Sequence, residues 1–127
     1  MDIAQLASQI DVNVKPYFIE KRMIDNQEHF VFGYHITIKN NSAQTVQLLR
    51  RHWLITDSDG KESEVKGEGV VGLQPTIEPA QQFEYSSGSS FKTPLGFMQG
   101  EYTMVSEQQH FNVKIAPFRL SDNRHIH

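Results

Sequence analysis

The chain has 127 residues, no cysteine, and 12 Lys and Arg against 15 Asp and Glu, which gives a net charge of −3 at pH 7. This length suits one domain, which at this size buries about two-thirds of its unfolded surface and needs no disulfide or metal to fold. The composition excludes thiol catalysis and cysteine-ligated metal centres, and the slight acidic excess argues against a general nucleic-acid-binding protein.

The chain ends are predicted to be flexible tails, over residues 1–9 and 122–127 of a single domain that spans 1–127. The first ten residues have no basic segment, and Asp2 and Gln5 interrupt their apolar residues, so we expect no secretory leader. Apolar runs long enough for a membrane span are absent from the sequence. Because there is no such run, we predict no membrane partner. The lack of cysteine fits a reducing compartment, so we predict a cytoplasmic protein.

Apolar and polar residues alternate with a period of two in the first third of the chain, which predicts strands with one buried face. In residues 10–19, Pro16 cannot donate a ladder hydrogen bond, so this strand is predicted at a sheet edge. Residues 29–40 carry the longest alternation, and turn-forming residues 40–44 end it. The predicted inward-facing residues are Ile10, Val12, Val14, Phe30, Phe32, Tyr34, Ile36 and Ile38.

Five more strands are predicted downstream, over residues 45–61, 61–66, 81–87, 96–107 and 110–118. The Asp59–Gly60 dipeptide is typical of a hairpin turn. About seven strands and almost no helix predict an all-β, two-sheet sandwich of the immunoglobulin or fibronectin type III kind. Trp53 is the expected central aromatic residue, and Tyr102 is a candidate for the corner tyrosine of such folds.

Two adjacent arginines, Arg50 and Arg51, interrupt the apolar strand that contains Trp53. A regular strand sends successive side chains to opposite faces, so one arginine must face the packed side unless a bulge redirects it. We favour a bulge with an arginine lying over Trp53 and its charge at the rim. The alternative is a guanidinium kept for an anion or for the carboxylate of a partner.

The segment "GEGVVG" matches the G-x-G-x-x-G pattern of dinucleotide-binding loops through Gly67, Gly69 and Gly72. Such loops open a helix and are followed about 20 residues later by an acidic residue. Here Pro75 and Pro79 oppose a helix, and "SSGSS" at that later position has no acid. We therefore expect no nucleotide site of that kind.

A structural role for this loop is the favoured alternative. We expect at least one of its glycines at positive φ in a connection that crosses between the sheets, with one valine packed on the core edge near Trp53. Free amides in such a loop also form anion-binding nests without a helix. The candidate anion- or partner-binding residues are therefore Arg50, Arg51, Lys66, Gly67, Gly69 and Gly72.

Metal binding and catalysis have weaker support in the sequence. His29 and His35 share a strand face, but six residues of strand separate them by about 20 Å, too far to share an ion. His125 and His127 lie in the predicted C-terminal tail. The serines of "EYSSGSS" lack the surrounding pattern of a nucleophile elbow. We predict no catalytic residue, no protein-made metal site and no cofactor.

Four segments resemble the ApaG family, and the likeness extends from about Val12 to Ser121. They are "RHWLITDSDGKESEVKGEGVVGLQP", "FEYSSG", "GFMQGEYTMV" and "FNVKIAPFRLS". The resemblance implies a fibronectin type III-like sandwich and a link to cobalt resistance and magnesium efflux, without an established biochemical activity. Related domains in eukaryotic F-box proteins and in a DNA-polymerase-interacting protein imply a role in binding other proteins.

Two functional hypotheses remain open. The first is a non-enzymatic interaction module whose partner is another protein, with a homodimer through a sheet edge as a further possibility. The second is a binder of a pyrophosphate-like or other phosphorylated small ligand at the glycine-rich loop, with Arg50 or Arg51 as the counter-charge.

Overall fold

The computed structural model describes residues 2–122 and contains one short helix and eight strands. The elements are α1 (Ile3–Ser8), β1 (Ile10–Ile24), β2 (Gln27–Asn40), β3 (Val46–Asp57), β4 (Glu62–Glu68), β5 (Thr76–Ile77), β6 (Gln82–Phe91), β7 (Leu95–Ser106) and β8 (Gln109–Ser121). The predicted all-β, two-sheet sandwich is confirmed. The seven predicted strands are present, and the two-residue β5 is an addition to them.

The strands form two antiparallel sheets. One has the order β1-β2-β6, and the other has the order β4-β3-β7-β8, with β5 also paired to β3. β1 lies at a sheet edge, as the proline at position 16 predicts. β3 and β4 form the hairpin expected from the Asp59–Gly60 turn, where Gly60 adopts a φ of 85°.

The core lies between the sheets and follows the predicted alternation. Trp53 is at its centre, with its ring edge-on to those of Tyr34, Phe118 and Tyr102 at centroid distances of 5.6, 5.9 and 6.4 Å. Tyr102 lies in the middle of β7, and its hydroxyl meets the hydroxyl of Tyr85 rather than a backbone group. The corner-tyrosine prediction is therefore wrong, because this hydroxyl is satisfied across the core.

Residues 3–8 form the helix α1, where we expected a flexible tail. Its start is a capping box, in which the Asp2 carboxylate accepts from the Gln5 N–H at 2.7 Å and the Gln5 side chain accepts from the Asp2 N–H. Leu6 is buried in the core and anchors the helix near β8. At the other end Asp122 is buried and donates its N–H to the Pro94 carbonyl, and residues 123–127 lie outside the described chain.

The two sides of the sandwich differ. On one side β1 lies close to β8, and α1 packs beside β8. On the other side the outer edges of β4 and β6 are not paired with each other, and a cleft opens between the sheets. This open side contains the candidate site.

Candidate functional site

A β-bulge determines the directions of the two arginines. The pairing of β3 with β7 shifts between Leu48 and Arg50, so that Leu49 is the extra residue. Arg51 then pairs with Tyr102 on the inner face, whereas Arg50 pairs with Thr103 on the outer face. The predicted bulge is confirmed, and it directs the two neighbouring arginines to opposite sides of the sheet.

The Arg51 guanidinium lies against the backbone of Gly67, not over Trp53 as expected. Its Nη1 donates to the carbonyls of Glu68 at 3.0 Å and Gly69 at 2.9 Å. A Cβ at Gly67 would lie 2.8 Å from the guanidinium, so this approach requires glycine. Among the described residues no carboxylate forms an ion pair with Arg51. The remaining N–H groups of this half-buried side chain are therefore available to an anion.

The glycine-rich loop is a tight hairpin. Val70 and Leu73 exchange two backbone hydrogen bonds, at 2.8 and 2.9 Å. The two residues between them, Val71 and Gly72, have φ of 44° and 80°, as in a type I′ turn. Gly69 has a φ of 62°. The prediction of at least one glycine at positive φ is confirmed, and the β-branched Val71 holds a strained conformation beside them.

The loop does not cross between the sheets, and that prediction is wrong. The Gly69 N–H donates to the Leu49 carbonyl at 2.7 Å, and the Leu48 N–H donates to the Pro75 carbonyl at 3.0 Å. The loop thus follows the edge of β3 between β4 and β5, because the bulge at Leu49 offers its carbonyl there. The chain crosses to the other sheet later, over residues 78–81.

The loop orients its two valines as expected. Val70 is buried and lines the cleft together with Trp53, whereas Val71 is exposed. The N–H groups of Gly69 and Val70 are used within the fold. Those of Val71 and Gly72 make no hydrogen bond within residues 2–122. Two of these four successive loop amides are therefore occupied within the fold, and two remain for an anion.

The cleft beside this loop has a volume of about 450 Å³. Arg51, Trp53 and Ile55 of β3 form one wall, and Ser87 and Ser89 of β6 form part of the other. Inward- and outward-facing residues alternate along β6, and its two inward-facing serines lie between the large side chains of Tyr85 and Phe91. Because serine side chains are too small to fill these inward positions, the sandwich stays open there.

Two buried tyrosines close the floor of the cleft. The hydroxyls of Tyr85 and Tyr102 are 2.5 Å apart. Burial raises the pKa of Tyr85 to about 12, and the hydrogen bond from Tyr102 and the charge of Arg51 oppose this rise. Burial also raises the pKa of Tyr102 strongly, with further increases from Tyr85. Both phenols are therefore neutral in the fold up to strongly alkaline pH.

This tyrosine pair predicts a loss of stability at high pH. An unfolded tyrosine ionises near pH 10, whereas folded Tyr85 ionises at about pH 12. The stability that the buried, neutral Tyr85 contributes is therefore complete below pH 10 and is lost as the pH rises from 10 to 12. Each buried tyrosine should lower the free energy of unfolding by roughly 1.4 kcal/mol per pH unit in this window. Urea denaturation from pH 8 to 12 should show a shallower decline for Tyr85→Phe. If the free energy of unfolding falls with pH as steeply in Tyr85→Phe as in the parent, the claim that Tyr85 is buried as a neutral phenol is contradicted.

The other candidate residues do not join the cleft. Lys66 lies near Glu64, with Nζ and Oε2 3.8 Å apart, and His52 bonds the same carboxylate at 2.9 Å. Arg50 is exposed on the outer face of the sheet with them. Only Arg51 and Gly72 of the six candidates line the cleft, while Gly67 and Gly69 shape its rim. Residues 2–122 contain no group of three or more His, Asp or Glu placed to hold a metal ion.

The comparisons with known proteins identify the family. Residues 20–106 match the sequence profile of the ApaG domain. The chain belongs to the ApaG family. It is 51% identical over 113 residues to Protein ApaG of Vibrio cholerae, an alignment that covers 88% of this chain and 90% of the relative.

Two solved structures have the same ApaG architecture. The X-ray structure of the structural genomics target SoR45 superposes with a TM-score of 0.92 at 47% identity, covering 96% of this chain and 93% of that one. The ApaA protein of Bordetella pertussis superposes with a TM-score of 0.84 at 40% identity, covering 91% and 94%. Within residues 2–122, no helix has the length and apolar character of a membrane span.

Proposed function

We propose that this ApaG-family protein is a non-enzymatic binding module whose recognition surface is the cleft between β4 and β6. The observation that carries the proposal is the placement of Arg51. Its guanidinium is half-buried and fixed by two loop carbonyls, yet it has no carboxylate partner among residues 2–122. A preorganised cation beside an unfilled cleft suits recognition of a negatively charged group.

The partner in this proposal is another protein. Apolar surface from Trp53, Ile55 and Val65 accompanies the arginine in the cleft, and a mixture of apolar contact with one directional polar anchor is typical of protein recognition. The family resemblance implies a link to cobalt resistance and magnesium efflux. We propose that the protein serves this role through the partner bound at the cleft, in the cytoplasm that the sequence predicts.

Affinity capture from an extract of the native bacterium tests this proposal. The adjacent arginines provide a matched pair of variants, because Arg51→Gln and Arg50→Gln remove the same charge from opposite faces of one strand. We expect a reproducible partner that the parent and the Arg50 variant retain and that the Arg51 variant loses. Capture of no reproducible partner, or equal capture by both variants, would contradict the proposed surface. A second copy of this chain as the only captured species would indicate the homodimer instead.

A phosphorylated small ligand at the glycine-rich loop is the second candidate. The observation in its favour is that Val71 and Gly72 line the same cleft as Arg51, and that their N–H groups make no hydrogen bond to any described residue. The absence of a following helix and the internal use of the Gly69 and Val70 amides weaken it.

Titration with pyrophosphate distinguishes the two candidates. If the loop binds phosphate, the amide signals of residues 66–75 should shift at millimolar pyrophosphate and should not shift in the Arg51→Gln variant. If the protein-binding proposal is right and the loop is structural, these signals should stay in place. A matched titration with sodium chloride at equal ionic strength controls for the general effect of salt.

A further inference from the structure

We propose that the occupant of the cleft is an extended polypeptide segment that adds a strand to the free edge of β6 and places an Asp or Glu side chain on Arg51. This inference rests on the proposed binding function and specifies the chemistry of the partner. Strand addition obtains affinity from main-chain hydrogen bonds and specificity from alternate side chains.

The cleft continues into an elongated groove. A second depression of about 400 Å³ shares Ile55 and Ser89 with the cleft and reaches Lys92 near the end of β6. β6 itself has ten residues and spans roughly 30 Å at about 3.3 Å per residue. A groove of this length beside a strand fits an extended chain better than a compact small molecule.

The edge of β6 is suited to accept a strand. Within residues 2–122, β6 pairs only with β2, so every second residue directs its N–H and C=O to the open side. Residues 86–90 are serines and a glycine, without charge or bulk that would block an approaching backbone. The free edge of β6 is therefore the docking strand.

The inner face of β3 determines the expected side-chain pattern. Arg51, Trp53 and Ile55 follow one another at two-residue spacing along the cleft wall. An added strand also presents side chains inward at two-residue spacing. A carboxylate on Arg51 would therefore be accompanied by apolar residues opposite Trp53 and Ile55. This gives the pattern acidic-x-apolar-x-apolar, read in either chain direction.

The guanidinium geometry supports a carboxylate as the anchor. Nη1 of Arg51 is held by the Glu68 and Gly69 carbonyls, and Nη2 and Nε make no hydrogen bond to the described part of the chain. A planar guanidinium with two unshared donor atoms matches the two oxygens of a carboxylate.

Selection from a displayed library of random, linear 12-residue peptides tests this inference. We expect enrichment of the acidic-x-apolar-x-apolar pattern. For a synthesised binder, changing its acidic residue to the matching amide should weaken binding at least tenfold, as should Arg51→Gln in the protein. Arg50→Gln should change the dissociation constant less than twofold. Hydrogen exchange of amides in residues 86–90 should slow when the peptide binds.

Several results would overturn the inference. A library that yields no binder, a binder that depends on its C-terminal carboxylate, or binding without slower exchange in residues 86–90 would each do so. If one of these results is found but Arg51→Gln abolishes capture of a partner from extract, the cleft binds a folded surface rather than an extended segment, and the proposed function stands. If neither peptides nor extract proteins bind, both fail. Should Arg51→Gln not fold, the acid-to-amide change in the peptide tests the same contact with the parent protein.

Discussion

Gly69→Ala should lower the free energy of unfolding by about 3 kcal/mol and the melting temperature by about 10 °C. Gly69 has a φ of 62°, which costs an L-residue about 1 kcal/mol. An added Cβ would also lie 2.2 Å from the Leu73 carbonyl oxygen, a backbone atom that cannot move without opening the hairpin. Thermal unfolding followed by circular dichroism measures the effect.

Gly72→Ala is the matched control for this prediction. Gly72 has a φ of 80°, but a Cβ there would meet no atom within 4 Å. Gly72→Ala should lower the free energy of unfolding only by the cost of holding an L-residue at positive φ. This cost is about 1 kcal/mol, or roughly a third of the effect of Gly69→Ala. Equal losses of unfolding free energy in the two variants would show that the clash between the added Cβ and the Leu73 carbonyl oxygen does not affect stability. No loss for Gly69→Ala, combined with loss of stabilisation by pyrophosphate, would favour the phosphate-binding alternative.

Asn40→Ala should destabilise the protein by about 3 kcal/mol. Asn40 is fully buried where the chain leaves β2, and its Nδ2 donates to the carbonyls of Gln44 at 2.7 Å and Ile77 at 2.9 Å. Its Oδ1 accepts from the N–H and hydroxyl of Ser42 at 2.9 and 2.6 Å. The truncation leaves several buried groups without partners, each at a cost of about 1 kcal/mol or more.

The neighbouring Asn41 provides the control. Its amide bonds the Asp11 carboxylate at 2.8 Å in an exposed position, so Asn41→Ala should change stability by no more than about 0.5 kcal/mol. Urea denaturation of both variants at pH 7 measures the difference. A cost below about 1 kcal/mol for Asn40→Ala would mean that water replaces the lost bonds, which would contradict its role as a buried connector.

The strand pattern was sufficient to predict the fold, because one face of each strand is buried. The alternation in residues 29–40 corresponds to β2, whose five inward apolar residues are all buried. The same argument placed Trp53 at the centre of the core. The short elements were not predictable in this way. α1 has only six residues, and β5 has two, so neither carries a period long enough to recognise.

The site was only partly predictable. Adjacent arginines in an apolar strand indicated a bulge, but which of them faces inward depends on pairing with β7, which sequence spacing does not determine. The path of the glycine loop likewise depends on the Leu49 carbonyl across the sheet. A signal for the cleft was present at Ser87, which falls on the same face as Phe83 and Tyr85 in the predicted strand 81–87 and leaves space unfilled there. The strand continues to Phe91, beyond the predicted end, so the inward position of Ser89 was not predicted.

Site-directed labelling of the cleft tests the central claim most directly. The chain has no cysteine, so Ser87→Cys and Ser86→Cys each create a single labelling site. Ser87 lines the cleft, while Ser86 lies on the outer face of the same strand with its hydroxyl 2.9 Å from His35 Nδ1. The measurement is partner capture from extract before and after each cysteine reacts with a bulky maleimide. We predict that the adduct at position 87 abolishes partner capture and that the adduct at position 86 does not. Capture that survives labelling at position 87, or that is lost only on labelling at position 86, would contradict the cleft as the binding surface.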